Sequence, residues 1–324
     1  MKKIIAIVLL AAVVTGCAFA FAACGDGADV YEFYAPDGAP VLALADMWGE
    51  NFEFGDDGTA EMKYSVINEA NVLARMTDGS AEFIVAPLNV GANVHSGYAA
   101  GKMKYDYKLL NVTSWGVLYF TTNEDSYKTR AECADAEEFL AQFDGKSVST
   151  IGAAAIPGKS VEYLFGEAGA EVTLNGSEAT VIQQSYLKGD NVTAIFAEPA
   201  ITGTNANGGN VTVLASVSEI YKEITGNDFP MSGVFVRADV LESEPELVEA
   251  VDARVKTSTE KFISDTSAVA EKAAAIEGFS LKAPVIVKAK DKLNVAYKNA
   301  AASKADVEKL LGNIGAPCDD GLFA

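Results

Sequence analysis

The chain has 324 residues, with 25 basic against 45 acidic side chains, a formal charge of −20, one histidine and four cysteines. That acidity excludes a nucleic-acid partner, which needs clustered Lys and Arg. One histidine without a Cys-x-x-Cys pair argues against zinc and iron–sulfur sites and gives no reason to expect a cofactor.

In chain order, Met1-Lys2-Lys3 precedes an apolar run from Ile4 to Val14, the pattern of a secretory signal peptide. The apolar character continues to Ala23 and approaches the ~20 residues of a membrane span, so an uncleaved anchor is the alternative. Small residues lead into Cys17 and into Cys24, and both places resemble a bacterial lipobox. Cleavage before Cys24 leaves a polar, flexible tether through Asp29, which favours Cys24 as the lipidated residue over Cys17. Two acyl chains suffice to hold a protein on a membrane surface. The segments are then a signal peptide, 1–23, and a lipidated tether, 24–29. Outside the cytoplasm a disulfide between the remaining Cys133 and Cys318 is permitted, and the sequence leaves open whether it forms.

The mature chain alternates strand-like and helical runs. Val30–Tyr34 reads as a strand closed by Pro36-Asp37-Gly38-Ala39-Pro40, and Val41, Leu42, Leu44, Ala45 and Trp48 follow at helical spacing. Ala60–Ile67 is strand-like, with Asn68 capping a helix to Thr77. Phe83–Ala86 reads as a buried strand before a helix from Val90 to Ala100, and Leu109–Trp115 and Val117–Thr122 are two further strands. The middle third repeats the theme. Strands at Ser147–Ile151, Thr193–Phe196, Val211–Leu214 and Ser232–Arg237 alternate with helices at Asp135–Phe143, Ser160–Glu167 and Ser218–Ile224. Helices from Glu244 to about Ile263, Ala268 to Ile276 and Ser303 to Leu311 fill the end. Such alternation predicts an α/β fold with two mostly parallel sheets flanked by helices.

Several segments, in order, resemble the solute-binding lipoproteins of ABC importers of the nitrate, sulfonate and thiamine-pyrimidine type. They are Tyr34-Ala-Pro-Asp-Gly-Ala-Pro40, Ala86-Pro-Leu-Asn89, Thr113-Ser-Trp-Gly-Val-Leu-Tyr119, Ile151-Gly-Ala-Ala-Ala-Ile-Pro157, Ala197-Glu-Pro199 and Gly315-Ala-Pro-Cys-Asp-Asp-Gly-Leu-Phe323. Each alone is weak; the ordered set spans nearly the whole mature chain. The resemblance implies a two-lobed periplasmic-binding fold of type II, with 30–116 plus 234–324 as one lobe and 117–233 as the other. Two hinge crossovers would lie near Gly116–Phe120 and Ser232–Phe235. It further implies a monomer that carries a small molecule to a permease and its ATPase.

Open α/β sheets bind ligands at the carboxyl ends of their strands. On that rule the candidate contacts are the turn residues Asp37, Gly38, Ala39, Asn89, Ala154 and Ala155, whose loops run into helices and offer free backbone N–H groups. Thr113 and Ser114 are hydroxyl donors, Trp115 and Tyr34 are aromatic candidates for stacking on a heterocycle, and Glu198 is an acceptor for a ligand N–H. No arginine falls in these loops, which disfavours a strongly anionic cargo. The expected ligand is a thiamine-type pyrimidine or another heterocycle, with an alkyl sulfonate or similar anion held by helix ends as the alternative. An enzyme is the rival class, but Gly-x-Ser-x-Gly, Walker and zinc-helix motifs are absent from the sequence. A ligand-sensing surface lipoprotein of the same fold is the other.

Overall fold

The computed structural model describes residues 29–56 and 58–324. The signal peptide, Cys17, Cys24 and nearly all of the tether lie outside them. In chain order the strands are β1 (Asp29–Pro36), β2 (Phe52–Phe54), β3 (Gly58–Ile67), β4 (Phe83–Pro87), β5 (Tyr107–Ser114), β6 (Leu118–Thr122), β7 (Ser147–Thr150), β8 (Thr173–Gly176), β9 (Thr193–Ala197), β10 (Thr212–Ser216), β11 (Ser232–Arg237) and β12 (Val295–Asn299). They form two sheets flanked by helices, ordered β12-β5-β11-β4-β1-β3-β2 and β10-β6-β9-β7-β8.

The two-sheet α/β architecture is the one expected, but each sheet is mixed rather than mostly parallel. The pairs β1·β3, β1·β4, β7·β8 and β7·β9 are parallel. The strands next to the crossovers are not. β6 runs antiparallel to β9, and β11 antiparallel to β4 and β5. The reason is geometric. The chain leaves the first sheet at the carboxyl end of β5 and must start β6 at the edge of the second sheet that faces it. It comes back by the same side, so β11 starts where β5 stopped. β12 enters from that side too, with Val295 opposite Ser114.

The first crossover is Trp115–Val117, three residues without regular structure between β5 and β6. The second is residues 226–231, ahead of β11, so Ser232–Phe235 is not a crossover itself but the opening of a strand in the first sheet. Gly116 has φ 92°, and a Cβ there would meet Ser218 Oγ at 2.1 Å. Only glycine combines that φ with so close a neighbour.

Apolar faces explain the layers. Phe33, Phe83, Val85, Val234 and Val236 of the first sheet pack with Leu247, Val251 and Val255 of the 20-residue helix Pro245–Ser264. In the second body Phe120 meets Phe139 edge-on at 5.2 Å and Phe165 at 6.0 Å. Six described strands and α-helices escaped the sequence pattern: β2, β8, β12 and the helices Ala179–Lys188, Ala238–Ser243 and Ala283–Ala289. β8 (TLNG) buries none of its residues, and Ala179–Lys188 buries only Ile182 and Tyr186, so neither shows a full apolar period.

Cys133 and Cys318, whose pairing the sequence leaves open, are both free. Cys133 is buried in the second body, where its carbonyl accepts a hydrogen bond from Arg130. Cys318 is exposed on the C-terminal tail, which returns to the first sheet through a bridge between Phe323 and Leu109. His95 holds that tail: its Nδ1 lies 2.7 Å from Asp106 and its Nε2 3.1 Å from Asp319. No described helix is long and apolar enough to cross a membrane.

Candidate functional site

Both sheets end at one cavity of about 380 Å³. From the first sheet come the turn Pro36–Pro40 after β1, Glu69 after β3, Pro87 after β4 and Ser114 at the end of β5. Ala155–Pro157 after β7 and Ala197–Ala200 at the end of β9 face them. Val117 of the first crossover and Met231 of the second, with Leu118 opening β6 and Ser232 opening β11, complete the lining.

Local structure explains why these loops converge. Gly38, at φ 107°, turns the chain from β1 into the helix Ala39–Leu44, where Pro40 takes an early position that needs no N–H. Asp37 is fixed through its amide to the Ile67 carbonyl (2.9 Å) and by accepting from the Ser280 amide (3.0 Å). Ala155 is the N-cap of the helix Ile156–Glu167 and gives it no side-chain cap; the Ala155 and Gly158 amides go to the Gly152 carbonyl and Pro157 has none, which leaves the Ile156 amide at this end.

Of the residues anticipated as ligand contacts, the cavity brings together Asp37, Gly38, Ala39, Ser114, Ala155 and Glu198. It leaves out Tyr34, Asn89, Thr113, Trp115 and Ala154. Strand alternation accounts for two of these. Ser114 points at the cavity, so its neighbours Thr113 and Trp115 turn to the other side. Trp115 donates from Nε1 to the Ala296 carbonyl (2.8 Å), and Lys298 Nζ lies 4.1 Å from its ring centre. It lines a separate groove behind the crossover with Phe229 and Lys298, and its expected stacking role is corrected accordingly. Tyr34 sits two residues inside β1, in the core, with the Arg75 guanidinium 4.9 Å from its ring. Ala154 is on the exposed side of its turn, and Asn89 is half-buried on the helix that starts after Pro87.

The cavity's chemistry is uneven. Most of its lining is proline, alanine and branched aliphatic side chains. Its ionisable groups are Asp37, Glu69 and Glu198, and the lining contains no Lys, Arg, His or aromatic residue. Glu69 is solvent-exposed yet walled in by the cleft around it, and that enclosure raises its carboxyl above the usual range. Reading the sequence missed Glu69 because it follows the capping residue Asn68 and looked like an ordinary first-turn helix acid. The signal available was its place at the carboxyl end of β3. Glu198 is buried, accepting from the Thr202 amide (3.0 Å) and the Thr202 hydroxyl (3.1 Å). Tyr119 donates its hydroxyl to the Lys292 carbonyl (2.9 Å), and burial pushes its phenol well above the ordinary tyrosine value. Among the described residues no group of three or more His, Cys, Asp or Glu could hold a metal ion.

No protein-family model matches this sequence, and comparison with curated proteins also yields no match. Solved structures do match. An ABC transporter protein from Parabacteroides distasonis superposes with a TM-score of 0.67 at 18% identity, over 91% of this chain and 98% of that one. The periplasmic aliphatic sulphonate binding protein SsuA from Escherichia coli gives 0.64 at 14% identity, over 91% and 96%. The periplasmic nitrate-binding protein NrtA from Synechocystis PCC 6803 gives 0.61 at 11% identity, over 88% and 80%. At such identities the likeness is one of fold. With its two sheets, two crossovers and one cavity between strand ends, this chain has the two-lobed fold of periplasmic solute-binding proteins.

Proposed function

We propose that this chain is the extracytoplasmic solute-binding component of an ABC importer, held to the outer face of the membrane through a lipidated Cys24. Its lobes are 30–116 plus 234–324 and 117–233. It works as a monomer, passes its cargo to a membrane permease driven by an ATPase, and catalyses no reaction. The observation that carries the reading is the cavity of about 380 Å³, built by strand-end loops of both sheets where the crossovers meet. A pocket of roughly 300–1,000 Å³ is the usual size for a small organic ligand.

The cargo is a small organic nutrient, of which a thiamine-type pyrimidine or a related heterocycle is the leading case. An aminopyrimidine presents N–H donors, and Asp37, Glu69 and Glu198 are acceptors. Its flat faces would lie against Pro36, Pro40, Pro87, Pro157 and Pro199, since no aromatic ring lines the cavity. One observation favours a second reading, an alkyl sulfonate: the helix Ile156–Glu167 starts at the cavity with the Ile156 amide, and helix N-termini hold anions. The carboxylates weigh against it.

A thermal-shift screen of aminopyrimidines, other vitamin-like heterocycles and alkyl sulfonates tests both. A ligand at one hundred times its Kd stabilises by about 2.7 kcal/mol. A shift with a heterocycle supports the first reading, and a shift confined to sulfonates replaces it with the second. No shift with any small solute would end the solute-carrier reading.

A further inference from the structure

The Glu198 side chain is 0% exposed. Burying a carboxylate is costly unless the charge is both hydrogen-bonded and paired. Its hydrogen bonds come from one neutral residue of its own body, Thr202, through amide and hydroxyl. Its cation comes from the other sheet. Lys292 Nζ lies 3.6 Å from Glu198 Oε1, and the lysine side chain is 48% exposed. Lys292 sits just ahead of β12, whereas Glu198 follows β9, so the pair spans the cleft. The Lys292 backbone is held separately, by the Tyr119 hydroxyl on its carbonyl. The ammonium can therefore move while the segment stays docked. At 3.6 Å it is a charge contact rather than a well-formed hydrogen bond, and a better-placed donor displaces it.

We infer that Lys292 is the resident counter-ion of Glu198 in the empty cleft, and that an ammonium, amidinium or protonated ring nitrogen of the bound solute takes its place. Lys292 is then a specificity-determining residue. A cationic solute recovers at Glu198 what it loses by leaving water. A neutral solute leaves the pair intact and gains nothing there, and an anionic solute meets Asp37, Glu69 and Glu198 with no basic side chain in the lining to offset them. Because the pair joins the two sheets, its exchange for a ligand contact also changes what holds this edge of the cleft closed. The inference rests on the solute-binding reading above, and its test separates the two.

The test compares wild type, Lys292→Met, Glu198→Gln and the double variant, each with a spin-label pair reporting the distance between lobes. Without solute, each single substitution is expected to broaden the interlobe distance, and the double variant to add nothing further. With benzamidine as the cationic probe, Lys292→Met is expected to bind about five-fold tighter, the scale of one partly exposed ion pair, and Glu198→Gln to bind more weakly than wild type. An unchanged distance in Lys292→Met, or weaker binding of the cationic probe by it, would overturn the inference. So would ethanesulfonate binding that Lys292→Met abolishes, because the lysine would then be an anion contact. If no probe bound wild type while both single variants broadened the distance, the solute-binding reading would fail and the interlobe pair would stand.

Discussion

Gly116 is where one residue sets the geometry between the lobes. Its φ of 92° is strained for any side chain, and a Cβ would also press on Ser218 Oγ and, at 2.9 Å, on Phe229. Asn294 donates to its carbonyl from the segment before β12, so the turn is gripped from both sides. Gly116→Ala is expected to destabilise the fold by about 2–4 kcal/mol, combining left-handed strain with overpacking. Urea unfolding reads this directly, and a loss under 0.5 kcal/mol, about the spread of neutral surface changes, would show that the crossover relaxes freely. Acid sensitivity also belongs to single residues. The hydrogen bond with His95 holds the Asp319 carboxyl below its ordinary value. Asp228 is lowered by Lys222 and then Lys298. Burial would raise Asp46, but hydrogen bonds from Lys272 and Arg254 outweigh it and leave its carboxyl lowered. A depressed carboxyl stabilises fully above the unfolded value of ~3.9 and loses that contribution as pH falls through the folded value. The melting temperature should therefore stay level from about pH 7 to pH 5 and fall steeply below about pH 4. A melting temperature that rises on acidification would contradict these pairs.

Among the elements, the helix Pro245–Ser264 does most to cover the first sheet. Its stripe of Leu247, Val248, Val251 and Val255 was plain in the sequence at helical spacing, and all four are buried. Leu247→Ala is expected to cost about 2–5 kcal/mol, the range for emptying a fully buried leucine site. Guanidinium unfolding measures it, and a neutral result would mean that this helix is only loosely docked. The strand ends were equally legible as a class, since Gly, Pro and Ala turns after apolar runs pointed to Asp37–Ala39, Ala155 and Glu198. Side-chain direction was not. Thr113, Ser114 and Trp115 are consecutive, and only the middle one lines the cavity. Which parity faces inward depends on the register of β5 between β11 and β12, which pairing partners set from far away in the chain.

At the scale of the whole molecule, the free thiols lie in different bodies and different environments. Cys318 is exposed, although its surroundings push its thiol up to about 11, and Cys133 is buried. Peptide mapping after alkylation of the folded protein at elevated pH should therefore find label on Cys318 and none on Cys133 until denaturant is added. A peptide pair linked through Cys133 and Cys318 would contradict the placement of the tail. The strong net negative charge acts at this scale too. It favours solubility and repels anionic headgroups, and it is screened within ~8 Å at physiological salt. It has little influence on the cavity, where individual carboxylates dominate.

Periodicity, turn chemistry and strand-end loops by themselves determined the α/β class, most of the helices and the loops that came to line the cavity. These are local properties, written in a few neighbouring residues. Only the tertiary structure decided that β6 and β11 run against their neighbours, that Trp115 turns away from the cavity, that Glu69 belongs to it, and that Lys292 reaches Glu198 across the cleft. Each depends on residues tens to more than a hundred positions apart being brought together, and no local pattern records such a meeting.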